Sequence, residues 1–499
     1  MIQDIFTVID FNFILFVFLG AVAGLFVGAM PGLSVTMATA LLVSITFTWE
    51  TNYAMALIMG VYVVGVFSGA ITAILINIPG APGSVATTLD GYPMAKNGRA
   101  SLALKTATLY SFLGSIIGLL ILAVSASQVT KLALAFSPFD YFLLAAFGLT
   151  TVGSLTSKNF TKGLISAALG VFISTIGMDP IMGIGRFTFG IPNLQKGIPV
   201  IATLIGLFGF SEIFYQISKK QGKAVMLDAT KDKVTIRELV RHWGLGLRSS
   251  VIGTLIGALP GAGGPVASLL AYDQAKRSTK NPRVPFGEGA VEGIVASESA
   301  NNGCIGGALI PMLTLAVPGD AVTAVILSAF YVHGLRPGPL LFRESPEMFG
   351  VILAGGFIGC FMILLLGLTV GPLLAKIAIV PQKHLLPIVA ILCVIGAYAA
   401  STNSFDILIM IIFGFIGFVM RKRGFPVAPM VLGLVLGGIM DSNFRRAISL
   451  ASSSPNPIAD LFLNPISIVL VLAIVFSIVS KFIPFQQIFG KILRKKKEA

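Results

Sequence analysis

Apolar residues run along this chain in long blocks, separated by short polar or Pro/Gly-rich stretches. Leu15–Met30, Tyr53–Ile78, Ser101–Ala126, Leu132–Val152, Leu164–Ile176 and Ile198–Ile217 precede the main hydrophilic stretch at 219–248. Phe349–Leu374, Leu385–Ala400, Ile407–Met420, Val427–Met440 and Ile466–Phe482 lie beyond it. A helix of about 20 apolar residues crosses a bilayer, and in lipid every backbone polar group must be satisfied within the span. The pattern therefore predicts an all-α polytopic membrane protein with roughly 10–12 membrane segments. It divides into a first transmembrane repeat (1–218), a basic linker with an interfacial helix at Ile236–Trp243 (219–248), a second repeat with an extra unpaired helix (249–484) and a basic tail (485–499).

Several blocks are interrupted where hydrocarbon does not tolerate a loose backbone. Pro31-Gly32 breaks the first block, and only a short run from Ser34 separates it from Thr48-Trp49-Glu50, as suits a re-entrant half-helix. Asn77-Ile-Pro79-Gly80-Ala-Pro82-Gly83-Ser84 ends the Tyr53–Ile78 helix, because proline lacks an N–H and glycine frees the backbone. Such breaks persist at membrane depth only where protein or a water-filled cavity satisfies them. The plain alternative is a Pro/Gly turn at the membrane surface. A second copy favours the buried reading. Gly24-Leu-Phe-Val-Gly-Ala-Met-Pro-Gly32 is answered by Gly253-Thr-Leu-Ile-Gly-Ala-Leu-Pro260-Gly261, and the Asn77–Gly80 break by Ala316-Val-Pro318-Gly319. Duplicated breaks in corresponding places point to a transporter's binding site between two repeats, expected to be inverted with an extra unpaired span, parallel repeats being the alternative that also puts linker and tail on one side. Gly20, Gly24 and Gly28 are spaced for close helix packing.

Composition changes little in this picture. The chain is 55% hydrophobic and 11% charged, far below the charge content of a soluble domain. The net charge is +14, and the basic residues sit between and after the apolar runs, especially at 219–248, 421–423 and 491–497, the distribution of cytoplasmic loops rather than of a nucleic-acid surface. Lysine and arginine are absent before Lys96, which places the N-terminus outside and linker and tail inside. No cleavable signal peptide is predicted, because the start lacks a basic region. Cys304, Cys360 and Cys393 lie in apolar context and imply no disulfide or metal; His242, His333 and His384 form no ligand set. Asp179 and Arg186 are a candidate pair in an irregular connection.

Polar residues gather around the breaks. Pro31, Gly32, Ser34, Asn77, Pro79, Gly80, Pro82, Gly83, Ser84 and Thr87 are the substrate-site candidates of the first half. Pro260, Gly261, Gly263, Gly264, Ser299, Asn301, Asn302, Pro318 and Gly319 are those of the second. Half-helix starts after Gly83 and Gly264 would present free N–H groups to an anion. Asp90, Glu298, Asp320 and Thr323 are candidates for ion coupling, since acids are costly at membrane depth, with sodium or a proton as the ion. Surface capping is the plain reading for Asp90, and an N-cap cluster for Ser297-Glu-Ser-Ala-Asn-Asn302.

These motifs resemble the large membrane subunit of the bacterial tripartite tricarboxylate transporters across essentially the whole chain. The resemblance rests on Gly28-Ala-Met-Pro-Gly-Leu33, Asn77 to Met94, Ala258-Leu-Pro-Gly-Ala-Gly263, Glu298-Ser-Ala-Asn-Asn302, and Gly177-Met-Asp-Pro with Arg186-Phe-Thr-Phe-Gly190. It implies a non-enzymatic, multi-pass permease of the bacterial inner membrane that imports citrate or related organic carboxylates by ion-driven symport. The implied partners are a small membrane subunit and a periplasmic solute-binding protein; no cofactor is implied. An intramembrane enzyme or a passive channel is the alternative. No nucleophile or metal motif supports the enzyme, and no ring of charge supports the channel.

Overall fold

A computed structural model describes residues 8–30, 33–133, 135–155, 160–179, 183–218, 232, 234–370, 382–399, 401–453, 455–462 and 464–482. Pro31, Gly32, most of the basic linker and the basic tail lie outside the described residues. Among those described, the protein is all-α, apart from a two-residue antiparallel pair, Gly177–Met178 with Gly185–Arg186. Among the described residues, seven helices are long and apolar enough to cross a membrane, and shorter apolar helices accompany them.

Each break has a local cause. α1 (Phe11–Ala29) starts on Asp10, whose side chain accepts from the Phe13 N–H at 2.6 Å. α2 (Val35–Ile45) starts on Ser34. α3 (Thr51–Ile76) ends at Asn77 in the left-handed region, φ 56° and ψ 28°, which asparagine tolerates. A single 3₁₀ turn at Pro82–Ser84 then leads into α4 (Val85–Met94) and, through a kink at Asn97-Gly98, into α5 (Ala100–Ala133). α6 (Pro138–Leu155), α7 (Phe160–Ser174) and α8 (Val200–Ser218, with a π-helical turn at Ile205–Phe210) complete the first half.

Beyond the linker, α9 (Ile236–Val240) is a single capped turn, shorter than the interfacial helix expected. Thr235 and Glu238 cap each other, and Arg99 bonds Glu238 at 3.0 Å. The Thr235 amide and hydroxyl, with Arg99, hold the Glu238 carboxyl down to about 2. Asp232 accepts from the Ser101 and Leu102 amides, so the linker is fastened to the start of α5. α10 (Trp243–Gly257), α11 (Gly263–Ser278), α12 (Val291–Leu315), α13 (Ala321–Val332) and α14 (Glu347–Thr369) follow. The rest is α15 (Gln382–Ala399), α16 (Ser404–Lys422), α17 (Val427–Ser452) and α18 (Pro465–Phe482).

The second break matches the first at the end of its helix. Ala316 ends α12 at φ 56° and ψ 27°, and its N–H bonds the Pro311 carbonyl as that of Asn77 bonds Thr72. An alanine held there costs about 1–2 kcal/mol. Glycine packing repeats in the same register. Gly24 and Gly28 of α1 lie against the Val61 and Gly65 carbonyls of α3; Gly253 and Gly257 of α10 lie against the Ala300 and Cys304 carbonyls of α12. Gly80 abuts the Gly28 carbonyl and the Gly69 Cα, and Gly319 abuts the Gly257 carbonyl and the Ala308 Cα. The offset that carries Gly32 to Gly261 relates the first partners, and the offset from Gly80 to Gly319 relates the second.

The two hairpins enter from opposite faces. Phe16 of α1 stacks near Trp49 and Tyr53, so α2 returns to the face where α1 began. Arg248 of α10 bonds Ser278 of α11 at 2.8 Å on the linker face. α3 and α12, almost wholly buried, run between those faces at the centre.

Candidate functional site

The four helix starts next to the breaks, those of α2, α4, α11 and α13, all line one interior cavity of about 570 Å³. That volume is of small-ligand size. Each start carries a partial positive charge of about half an elementary unit. They are not equivalent. Ser34 caps α2 through a 3.1 Å bond from the Met37 N–H. Asp320 caps α13, accepting from the Thr323 N–H at 2.7 Å and hydroxyl at 2.8 Å, with the Tyr62 hydroxyl of α3 at 2.8 Å on its other oxygen. α4 and α11 have no side-chain cap.

Those two uncapped starts meet at Asn301 of α12. A Cβ on Gly83 would stand 1.9 Å from Asn301 Oδ1, and one on Gly264 would stand 2.3 Å from it and 3.7 Å from the Gly83 Cα. Asn301 is 2% exposed, lines the cavity, and its Nδ2 has no hydrogen-bond partner. Ser84 Oγ beside Gly69 is likewise buried and unpartnered. Gly261 donates to the Gly319 carbonyl at 2.7 Å, tying the two second-half breaks together.

The remaining candidates separate by place. Ser34, Pro82, Gly83, Gly261, Gly263, Gly264, Asn301 and Asp320 line the cavity. Gly80 and Gly319 are buried behind it as close-packing points. Pro260 accepts from Thr151 of α6 at 2.8 Å. Asn77 is exposed at its cap, and neither it, Pro79, Pro318 nor Ser299 is part of the lining. Thr87 and Asn302 bond Glu298, one helical turn below Asn301. Asp90 sits at the linker end of α4, where Oδ1 accepts from the Gly287, Gly289 and Ala290 amides at 2.8–2.9 Å and holds the start of α12.

Arg421, at the end of α16, also lines the cavity and pairs with Glu212 of α8. Sequence reasoning missed it, because it stands in Arg421-Lys422-Arg423 and reads as a loop charge. Its only signal was that the run directly follows an apolar helix and leads through Gly424-Phe425 to Pro426. On the face opposite the linker lies a second cavity of about 840 Å³ lined by Arg186, Lys196, Asp406 and Asp441. There Arg186 bridges Asp179 (3.7 Å) and Asp441 (2.8 Å), and Arg445 bonds both acids as well.

A multi-pass helical membrane protein with paired helix breaks around an interior cavity has the build of a transporter. The chain belongs to the TctA family of tripartite tricarboxylate transporters, whose family model matches residues 14–432. It is similar to an uncharacterized 52.8 kDa protein in the TAR-I ttuC' 3' region of Agrobacterium vitis, 35% identical over 474 residues and 94% of each chain. It is also similar to an uncharacterized protein in the TAR-II ttuC' 3' region of that organism, 37% identical over 234 residues, 46% of this chain and 96% of that protein. No solved structure matches.

Proposed function

We propose that the protein is the large permease subunit of an inner-membrane importer of tricarboxylates or related organic acid anions, driven by an ion gradient and working by alternating access. The observation that carries this reading is the meeting of the uncapped starts of α4 and α11 at Asn301, on a cavity that Arg421 also lines. Converging amides and a guanidinium suit carboxylates, which both bind in charge-assisted geometry. The matched glycine contacts and the entry of the two hairpins from opposite faces support inverted repeats, with α18 as the unpaired helix. In that arrangement the basic linker faces the cytoplasm, and the larger cavity at Arg186 and Asp441 is the outer vestibule. The break residues form the substrate site, and Gly80, Gly319 and Asp90 hold its shape. Sodium or a proton is the coupling ion, and no other cofactor takes part.

A site that must release its ligand on each cycle cannot also hold it very tightly. Capture therefore falls to a periplasmic binding protein, with a small membrane subunit completing the complex. Reconstituted with the small subunit, the permease is expected to show little uptake of micromolar labelled citrate until liganded binding protein is added outside. Efficient uptake unchanged by that protein would remove the tripartite reading. Counterflow of preloaded citrate would mark a carrier, and its absence alongside passive leak would mark a channel.

A further inference from the structure

Glu298 stands apart from every other acid at the centre of the bundle. It is fully buried on α12 and bonded only by neutral side chains: the Thr87 hydroxyl of α4, the Ser111 hydroxyl of α5 at 3.0 Å and the Asn302 amide at 3.2 Å. Asp90 and Asp320, by contrast, accept from backbone amides that compensate their charge in place. Glu212 has Arg421. A bare carboxylate surrounded by hydroxyls at membrane depth costs several kcal/mol unless a positive charge joins it.

The groups around Glu298 suit such a charge. Thr87 Oγ1 is also 3.1 Å from Ser297 Oγ, which gives a cluster of hydroxyl and carboxyl oxygens drawn from both halves of the chain. Asn302 adds a second observation. It is fully buried, its Nδ2 lies 2.8 Å from Ser111 Oγ, 3.0 Å from the Glu298 main-chain carbonyl oxygen and 3.2 Å from Glu298 Oε2, and its Oδ1 has no partner. Half a turn of that amide gives up the donor bond to the Glu298 carbonyl and turns an acceptor toward it, Ser111 and the carboxyl, an arrangement of facing oxygens that only a proton or cation between them compensates. The acceptor suits a carboxyl proton or completes an oxygen cage for a hard cation. Other titratable groups on the packed elements are engaged elsewhere. Asp90 of α4 and Tyr272 of α11 face Gly293; Tyr110 of α5 bonds the Leu239 carbonyl; Glu292 faces His242; Cys304 lines the cavity. None of them, and neither lysine nor arginine, is among the hydrogen-bond partners of Glu298 given by the described residues.

We infer that Glu298, with Thr87, Ser111 and Asn302, is the binding site of the coupling cation, taken up either as a proton on the carboxyl or as a sodium ion on its oxygens. This rests on the symport reading above and assigns its ion to one place. The site is adjacent in sequence to the anion cavity by way of Asn301, and Thr87 lies on the helix whose start faces the anion. Cation binding at Glu298 therefore bears on the seat of α4, and through it on the carboxylate.

The test needs no substrate. Thermal unfolding of detergent-purified full-length protein is followed in sodium chloride against choline chloride at fixed pH, and in choline chloride from alkaline to acid pH. A sodium-specific rise in the unfolding temperature of the wild type, lost in Glu298→Gln, identifies sodium. A rise on acidification, lost in Glu298→Gln, identifies a proton. If that variant fails to fold, Thr87→Val serves instead, and the cation concentration giving the half-maximal rise is expected to increase about tenfold. A wild type indifferent to both ions, or a response retained in full by Glu298→Gln (or by Thr87→Val in its place), overturns the assignment. Because carboxylate binding does not enter the readout, either result leaves the substrate reading to its own experiments.

Discussion

Gly83→Val is expected to abolish substrate uptake while the protein remains inserted and folded. Even Gly83→Ala places a Cβ 1.9 Å from Asn301 Oδ1 and 2.6 Å from its Cγ. What yields is the end of a side chain, so the fold survives and Asn301 is driven off its position between α4 and α11. Losing one aligned donor to a charged ligand removes about 1.5–3 kcal/mol, roughly 10–100-fold in affinity, and valine adds the bulk that blocks the cleft. Gly80→Ala makes the contrast. Its Cβ would stand 2.1 Å from the Gly28 carbonyl oxygen, a backbone atom of the packed α1–α3 pair, so the expected failure there is of folding and membrane yield. Size-exclusion profiles and transport assays on both variants separate the two outcomes. Normal uptake by Gly83→Val would rule out a site at the breaks.

The second large effect concerns Arg421. It pairs with Glu212 and lines the cavity, so an incoming carboxylate competes with Glu212 for the guanidinium. Arg421→Gln is expected to raise the half-saturating substrate concentration about 10–100-fold, the range for a charge-assisted bond. Arg421→Lys keeps the charge without the planar fork and should fall between. Glu212→Gln discriminates between binding and architecture. If Arg421 binds substrate, releasing it lowers the half-saturating concentration; if the ion pair merely braces α8 against α16, Glu212→Gln impairs uptake just as Arg421→Gln does. Uptake kinetics of the three variants decide.

The breaks were legible in the sequence because proline and glycine act locally: Pro79, Gly80, Pro260 and Gly261 interrupt apolar runs wherever the chain goes next. Their pairing was legible because the same residues recur in register. The close approaches of Gly24 and Gly28 followed from small-residue spacing. What tertiary packing alone decides was not legible. Nothing in the order of residues brings Thr87 and Ser111 to Glu298, or Tyr62 to Asp320, more than 180 positions away. Asp90 could be read as a functional acid, costly at membrane depth, or as a cap, and the sequence could not show the three amides of a loop about 200 positions away that bond it. Arg421 looked like a boundary charge because its neighbours are. The distinction among helix starts also needed coordinates, since only they show that Asp320 occupies one positive end while those of α4 and α11 stay open.

An organic carboxylate seated among these helix starts is expected to protect a thiol on the cavity wall. Val66 of α3 lines the cavity without bonding to any polar group there, so Val66→Cys places a reporter beside the site. Its alkylation by a small thiol reagent is measured in membranes, with Cys304 replaced by serine, in the presence of citrate, isocitrate or malate. The carboxylate the protein transports is expected to slow alkylation in proportion to its occupancy, and Gly83→Val to remove the protection. Alkylation at the same rate with and without a transported carboxylate would place the substrate elsewhere.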